Sequence, residues 1–184
     1  MSDLVSAAQV WIAPYWNAEH LRRTLDWLLV LDPNASEASR LAALTHDMER
    51  SVPGGREFDP GTMAAYDEAY RKEHSERSAR IVGEWLVTQD AGDELVARVR
   101  RLVELHEIGG TPEADLVQAA DSLSFLETNA GLVRGWVDNG RCSLDRARQQ
   151  HERMLERIQV PRAAELARPL YRRALAILDG SEEG

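Results

Sequence analysis

Residues 41–50 read LAALTHDMER. With Ala38 before them, Leu41, Ala42 and Thr45 fall at three- and four-residue steps, the spacing of one helix face. That face runs on to His46, so the His46-Asp47 pair stands near the C-terminal end of an inward-facing helix. Neighbours on a helix point roughly 100° apart, so both side chains reach one cavity only if the helix end faces it. Outward from this pair, His20 lies about one helix and a loop upstream. His74, His106 and Asp121 follow at helix-sized intervals, and the order H…HD…H…H…D uses every histidine except His151. Imidazoles and carboxylates carried on separate helices can converge on a metal, and on two metals if the whole set takes part.

The flanking sequence supplies those helices. Asn17 is expected to cap a helix NAEHLRRTLDWLLVL, with Leu21, Leu25, Leu28 and Leu29 as its apolar stripe and His20 beside that stripe in the first turn. Asp32-Pro33 breaks it, and Asn34 is expected to open the next helix with Glu37 as capping-box partner. SVPGGREFDPG, residues 51–61, reads as a loop that can form part of a pocket rim. Asp59-Pro60 fits a cap and first helical residue, opening a long helical region to about Thr88 on which Tyr70, His74, Ser78, Ile81 and Trp85 share a face. Leu95, Val99, Leu102 and Val103 lead up to His106, and Gly109-Gly110 stop that helix. Thr111-Pro112-Glu113 opens a helix that is apolar on most sides, with Asp121 in its middle. A carboxylate there is costly unless paired, hydrogen-bonded or metal-bound. SLDRARQQHERMLERIQVPRAAELARPLYRRALAILDG, residues 143–180, gives two amphipathic helices split at Pro161. The expectation is an all-α protein, with one helical metal-binding core over residues 1–140 and a C-terminal helical extension over 141–184 packing back on it.

Composition agrees with this reading and excludes several functions. The 184 residues suit one domain, and abundant Leu and Ala with few Phe and Ile favour helices. A net charge of -9 argues against a surface that grips duplex nucleic acid. A single cysteine, Cys142, rules out a disulfide framework within the chain and a cysteine-ligated zinc site. The first residues, MSDLVSAAQVWIAPYW, make a poor signal peptide, and no stretch approaches membrane-spanning length, so a soluble cytoplasmic protein is expected. The charged C-terminal helix pair is compatible with a homodimer interface or with a lid.

From about Asn17 to Asn129 these residues resemble the HD superfamily of metal-dependent phosphohydrolases. The resemblance is carried by His20, by THDMER with His46 and Asp47, by EHSERSARIVGEWL with His74, by RLVELHEIGG with His106 and by QAADSLSFLE with Asp121. It implies an HD-type helical bundle. The minimal pattern implies His20, His46, Asp47 and Asp121 as ligands of one metal. His74 and His106 resemble the subgroup with two metals, in which Asp47 would bridge. That subgroup includes diadenosine tetraphosphate hydrolases, cyclic dinucleotide phosphodiesterases and some di-iron oxygenases. Arg50 stands where many members carry a lysine, and no GYP-type extension is present, which disfavours a cyclic dinucleotide phosphodiesterase. The chain is also similar to uncharacterised bacterial proteins whose helical core has lost part of the metal set, whereas here the set is complete.

A histidine-rich set favours Fe, Mn, Co, Ni or Zn over Mg, as one or two divalent or trivalent ions. Such ions make hydroxide available near neutral pH and hold phosphoryl oxygens. Beside Asp47, Arg50 and Arg77 are candidates to clamp phosphate, because a planar guanidinium suits bidentate contact, while Lys72 points to another side of its helix. The five tryptophans read as core or interface aromatics, and His151 as a solvated helix residue. The expected activity is hydrolysis of a phosphoester or phosphoanhydride in a small nucleotide-like substrate. Alternatives on the same ligands are a di-iron oxygenase and a non-catalytic nucleotide sensor.

Overall fold

In the chain's computed structural model, residues 3–54, 59–61 and 67–181 are described. They form α1 (Leu4–Ile12), α2 (Ala18–Leu31), α3 (Glu37–Thr45), a 3-10 turn (Met48–Ser51), α4 (Glu68–Thr88), α5 (Asp93–Leu105), α6 (Pro112–Thr128), α7 (Ala130–Asp138), α8 (Leu144–Glu156) and α9 (Pro161–Leu178). No strand occurs among the described residues, and the fold is all-α, as the periodicity implied.

Helix α6 is the hub, because it is apolar almost all round and can bury several sides. It packs along α2 and α9 and also meets α3, α5, α7 and α8. The main core joins α1 through α6, with Ile12, Leu21, Leu28, Leu41, Leu44, Val82, Leu86, Val103 and Val117 among its members. A second core lies between α6, α8 and α9, around Leu123, Leu126, Met154 and Ala167. Leu123 is wholly buried there, and truncation to Ala would cost about 2–5 kcal/mol through lost transfer energy plus a cavity. Gly83 on α4 leaves room for the Arg100 side chain of α5. A Cβ placed there would come within 2.5 Å of Arg100 Cδ.

Several local expectations are corrected. Asn34 does not cap α3. Its N–H bonds instead to Asp32 Oδ1, and Ser36 is the cap, its Oγ accepting from Ser39 N–H at 3.1 Å. Asn17 stands at the start of α2 but makes no side-chain cap bond. Its amide is diverted, with Nδ2 donating to the Asp47 carbonyl at 3.2 Å and Oδ1 accepting from Ser51 Oγ at 2.8 Å. Asp59-Pro60 does not open a helix. Asp59 Oδ1 accepts from Gly61 N–H in a turn, and α4 begins at Glu68 behind Asp67. Part of the expected loop and of the expected early helix, residues 55–58 and 62–66, lies outside the described residues. The sequence reading did not anticipate α1 or α7 as separate helices. No helix among the described residues is long and apolar enough to cross a membrane.

Candidate metal centre

Each of the six candidate ligands arrives from a different backbone setting. His46 caps the C-terminus of α3, and Asp47 follows where the chain tightens into the 3-10 turn that Asn17 ties down. His106 caps α5, whose end is fixed by Gly109 at φ +70°, its N–H on the Leu105 carbonyl at 2.7 Å. His20 is in the first turn of α2, His74 in the body of α4, and Asp121 in the middle of α6. All four imidazoles and Asp121 are buried, and Asp47 is partly so.

The structure brings them together. Ligand atoms of His20, His46 and Asp47 lie within 4.8 Å of one another, and so do those of Asp47, His74 and His106. Asp121 lies beside the two histidines of the first group, its Oδ1 3.2 Å from His20 Nε2 and 3.4 Å from His46 Nε2. Two triads therefore share Asp47.

The outer nitrogens fix the tautomers. His46 Nδ1 donates to the Ala43 carbonyl at 3.0 Å and His106 Nδ1 to that of Val103 at 2.7 Å. His20 Nδ1 donates to Ser124 Oγ at 2.9 Å, and that hydroxyl passes its own proton to the His20 carbonyl. His74 Nδ1 meets Glu49 Oε2 at 2.9 Å. With every Nδ1 bonded outward, every Nε2 can present a lone pair to the centre. His46 Nε2 and His74 Nε2 are buried and have no hydrogen-bond partner. The latter lies 2.9 Å from Asp47 Oδ1 without the alignment of a hydrogen bond. An unpartnered lone pair facing a carboxylate is costly on its own and is relieved by a shared cation. The donor set thus fits a metal ion or ions.

Charge is distributed to match. Burial pushes Asp47 up, but Arg50, then His74 and His46, hold it well below the usual carboxylate range. Asp121 likewise is pushed up by burial and held well below by Arg157 and His46. Burial opposes charge on His46, yet Asp121 and Asp47 raise it. Burial, helped by its histidine neighbours, lowers His106 to about 4, leaving it neutral at pH 7.

Four further residues were missed in the sequence. Glu49 orients His74. Glu107, Arg153 and Arg157 form a buried cluster at the other side. Arg157 bonds to Asp121 Oδ2, to Ser122 Oγ at 2.7 Å and to Glu107 Oε2 at 2.9 Å, while Arg153 reaches Glu107 Oε2 at 2.6 Å. Arg153 and Arg157 are one helical turn apart on α8 and its C-cap, and that i, i+4 spacing next to a polar core was the signal they left. Of the two arginines proposed as phosphate clamps, Arg50 is on the cavity wall, its Nε on Asp47 Oδ1 at 3.0 Å. Arg77 is not on the wall and instead donates to the carbonyls of Val52 at 3.2 Å and Pro53 at 2.6 Å. It holds in place the loop residues Val52, Pro53 and Gly54, which do line the cavity as expected of a rim. Lys72 sits exposed near Glu76.

A cavity of about 530 Å³ opens beside the cluster, lined by His20, Asp47, His106 and Asp121 at one end and by Phe125, Leu132 and Trp136 elsewhere. Trp16 and Trp136 both line it, so not all of the tryptophans serve the core. Trp11 and Trp85 do stack on one another, with centroids 4.5 Å apart. His151 is not solvated: it is wholly buried on α8, its ring 5.1 Å from Phe125.

No curated protein and no solved structure matches the chain. Residues 10–135 match the model of a family described as a domain of unknown function, DUF4202. That segment holds all six candidate ligands together with Glu49 and Glu107, but ends before Arg153 and Arg157. By this match over more than half its length, the chain belongs to the DUF4202 family.

Proposed function

We propose that this protein is a metal-dependent phosphohydrolase acting on a phosphoester or phosphoanhydride of a small nucleotide-like molecule. The single observation that carries the reading is the orientation of the four imidazoles, each bonded outward through Nδ1 so that Nε2 faces Asp47 or Asp121. His20, His46, Asp47 and Asp121 would hold one ion, and Asp47, His74 and His106 a second, with Asp47 common to both.

Ions so held supply Lewis acidity, lowering the pKa of water from about 15.7 toward about 7 and polarising a phosphoryl oxygen. The protein's own groups do the rest. Glu49 keeps the His74 tautomer that leaves Nε2 unprotonated. Arg157 takes Asp121 Oδ2 and so turns Oδ1 toward His20 and His46. Arg50 places a fixed positive charge beside Asp47 on the wall where phosphoryl oxygens would arrive. Phe125, Leu132, Trp136 and Met154 on the cavity lining would offer apolar contact to the remainder of the substrate.

The test is metal analysis of protein purified without chelator, followed by a panel of nucleotides and phosphoesters with Mn or Co under anaerobic conditions. Turnover is expected without oxygen. Absence of bound metal, or activity that requires oxygen, would overturn the hydrolase reading, the second outcome in favour of an oxygenase. His74→Ala and His106→Ala are each expected to lower metal stoichiometry. Wild-type stoichiometry in both would replace the two-metal site by a mononuclear one.

A further inference from the structure

We propose that Arg153, on α8, recognises the substrate's anionic group, and that this group is carried on a planar ring seated against Trp136 and Phe125. That the anion is a phosphate rests on the phosphohydrolase reading above.

Three guanidinium groups line the cavity, and they differ in what they offer. Arg141 is exposed at the rim and lies over the Trp136 ring, whereas Arg50 and Arg153 are set into the wall. Arg50 is committed to Asp47 Oδ1 at 3.0 Å and to Tyr70 Oη at 2.8 Å. Away from the wall, Arg157 is spent on Asp121, Ser122 and Glu107 and acts as a positioning residue. Arg153 is 7% exposed and lines the cavity. One of its nitrogens, Nη2, is bonded to Glu107, and Nη1 meets the soft Met154 sulfur at 3.8 Å. A guanidinium has five N–H donors in a planar fork, so this buried cation keeps donors unspent among the described residues. Its charge is also only partly balanced, because Glu107 Oε2 is shared with Arg157. A phosphate arriving from the cavity would complete both the hydrogen bonding and the charge, in the bidentate mode that guanidinium favours.

The second half follows from the rest of the wall. Phe125, Leu132, Trp136 and Met154 line the same cavity, and Leu132 is 41% exposed to it or to the solvent beyond. A flat ring finds aromatic faces there, and the volume of about 530 Å³ is that of a site for a mononucleotide-sized ligand. Arg141 lies over the Trp136 ring, 5.9 Å from its centroid, and stiffens that outer wall. Arg153 and the Arg141 rim both come after residue 135, where the family match ends. Substrate choice would then be set jointly by Phe125 within the family's domain and by Trp136 and Arg153 beyond it.

The probes are inorganic phosphate and the phosphonate analogue of AMP in which methylene replaces the ester oxygen, so that there is no ester bond to hydrolyse. Both are titrated calorimetrically into the full-length protein as purified. The wild type should bind the analogue more tightly than phosphate. Arg153→Met should weaken both roughly tenfold to a hundredfold, with metal stoichiometry unchanged. Trp136→Ala should weaken the analogue and leave phosphate binding as it was. Glu107→Gln, which releases Arg153 from its partner, should keep or tighten binding. Wild-type affinity in Arg153→Met would overturn the anion assignment. Equal losses in Glu107→Gln and Arg153→Met would also do so, by reducing the pair to scaffold. Should Arg153→Met fail to fold, Glu107→Gln and Arg153→Lys decide. Arg153→Lys keeps the charge without the fork and should weaken both ligands while Glu107→Gln retains them, and any other pattern sinks the assignment. An analogue bound no better than phosphate removes the planar ring. Ligand binding that depends on Arg153, in a protein that turns over no phosphoester, would leave this inference standing and remove the hydrolase reading.

Discussion

His46 and His151 look alike at close range. Each is wholly or almost wholly buried, each gives its Nδ1 proton to a backbone carbonyl of its own helix (Ala43 at 3.0 Å, Ala147 at 2.8 Å), and each leaves Nε2 without a hydrogen-bond partner. What stands opposite differs. His46 has the His20 and His106 rings at 5.4 and 5.0 Å and the Asp121 carboxylate near its Nε2. His151 has Phe125. The consequence is electrostatic: burial works against charge at both, but Asp121 and Asp47 outweigh it for His46, whereas burial wins at His151 and lowers it. Burial and an orphaned nitrogen therefore do not make a ligand. Convergence with carboxylates is what makes His46 a candidate and leaves His151 out.

The sharpest way to break this contrast is to remove the shared carboxylate. Asp47→Ala is expected to lose bound metal from both triads and to abolish turnover, while His151→Ala leaves metal content as in the wild type. Elemental analysis of the two purified variants checks this. Next in size is removal of the metal itself. Ions that bind only the folded chain stabilise it by about 4 kcal/mol at a thousandfold excess over Kd. For a chain of this length, chelation should lower Tm by roughly 10 °C. A chelator-insensitive melt would put His46 in the same class as His151.

A smaller effect is expected at Glu49. Glu49→Gln keeps an acceptor for His74 Nδ1 but removes its charge, so metal affinity should fall about tenfold, as read by competition with a chromogenic chelator. Unchanged affinity would mean that the backbone-bonded and carboxylate-bonded imidazoles are equivalent. The smallest is at His151. Its pKa is lowered in the folded protein from the ordinary 6.5, so the unfolded chain takes up more protons as pH falls through 6.5 and stability is lost in that direction. His151→Leu should remove this slope and raise stability by about 1 kcal/mol at pH 7, because an unsatisfied buried nitrogen disappears. Thermal melts from pH 7 to pH 5 measure it, and a variant that melts below the wild type at pH 5 would contradict it.

The same pair of histidines shows what the sequence could convey. His46 was legible because the helix around it is amphipathic and ends there, and because His20, His74, His106 and Asp121 recur at helix spacings. The ends of α5 and α6 were legible for a similar reason, since Gly109, Thr111 and Pro112 are local signals. His151 was misread because QQHERMLER is polar in composition. Yet Ala147, His151, Met154 and Ile158 lie at helical steps on one buried face, and the charged neighbours hid that stripe. Asn17 and Asn34 were misread because an amide or a turn residue can serve either its own helix or a distant strand of chain, and only the tertiary structure decides. Glu49, Glu107, Arg153 and Arg157 escaped because ionic side chains are everywhere in this sequence. Nothing local distinguishes a carboxylate that faces solvent from one whose counter-ion arrives from another helix.

The path of α8 has a practical consequence. Glu107 is held down to about 2, against the push of burial, chiefly by Arg157 with His106 and Arg153, and Asp121 leans on the same Arg157. Expressing only residues 10–135, which the family's model matches, would strip two buried acids of their arginine counter-ions and remove Arg153 and Met154 from the cavity lining. A trimmed product that misfolds or holds no metal would say nothing about the intact chain. Clones of this chain should therefore run past residue 135 to the end of α8 and its C-cap, Arg157.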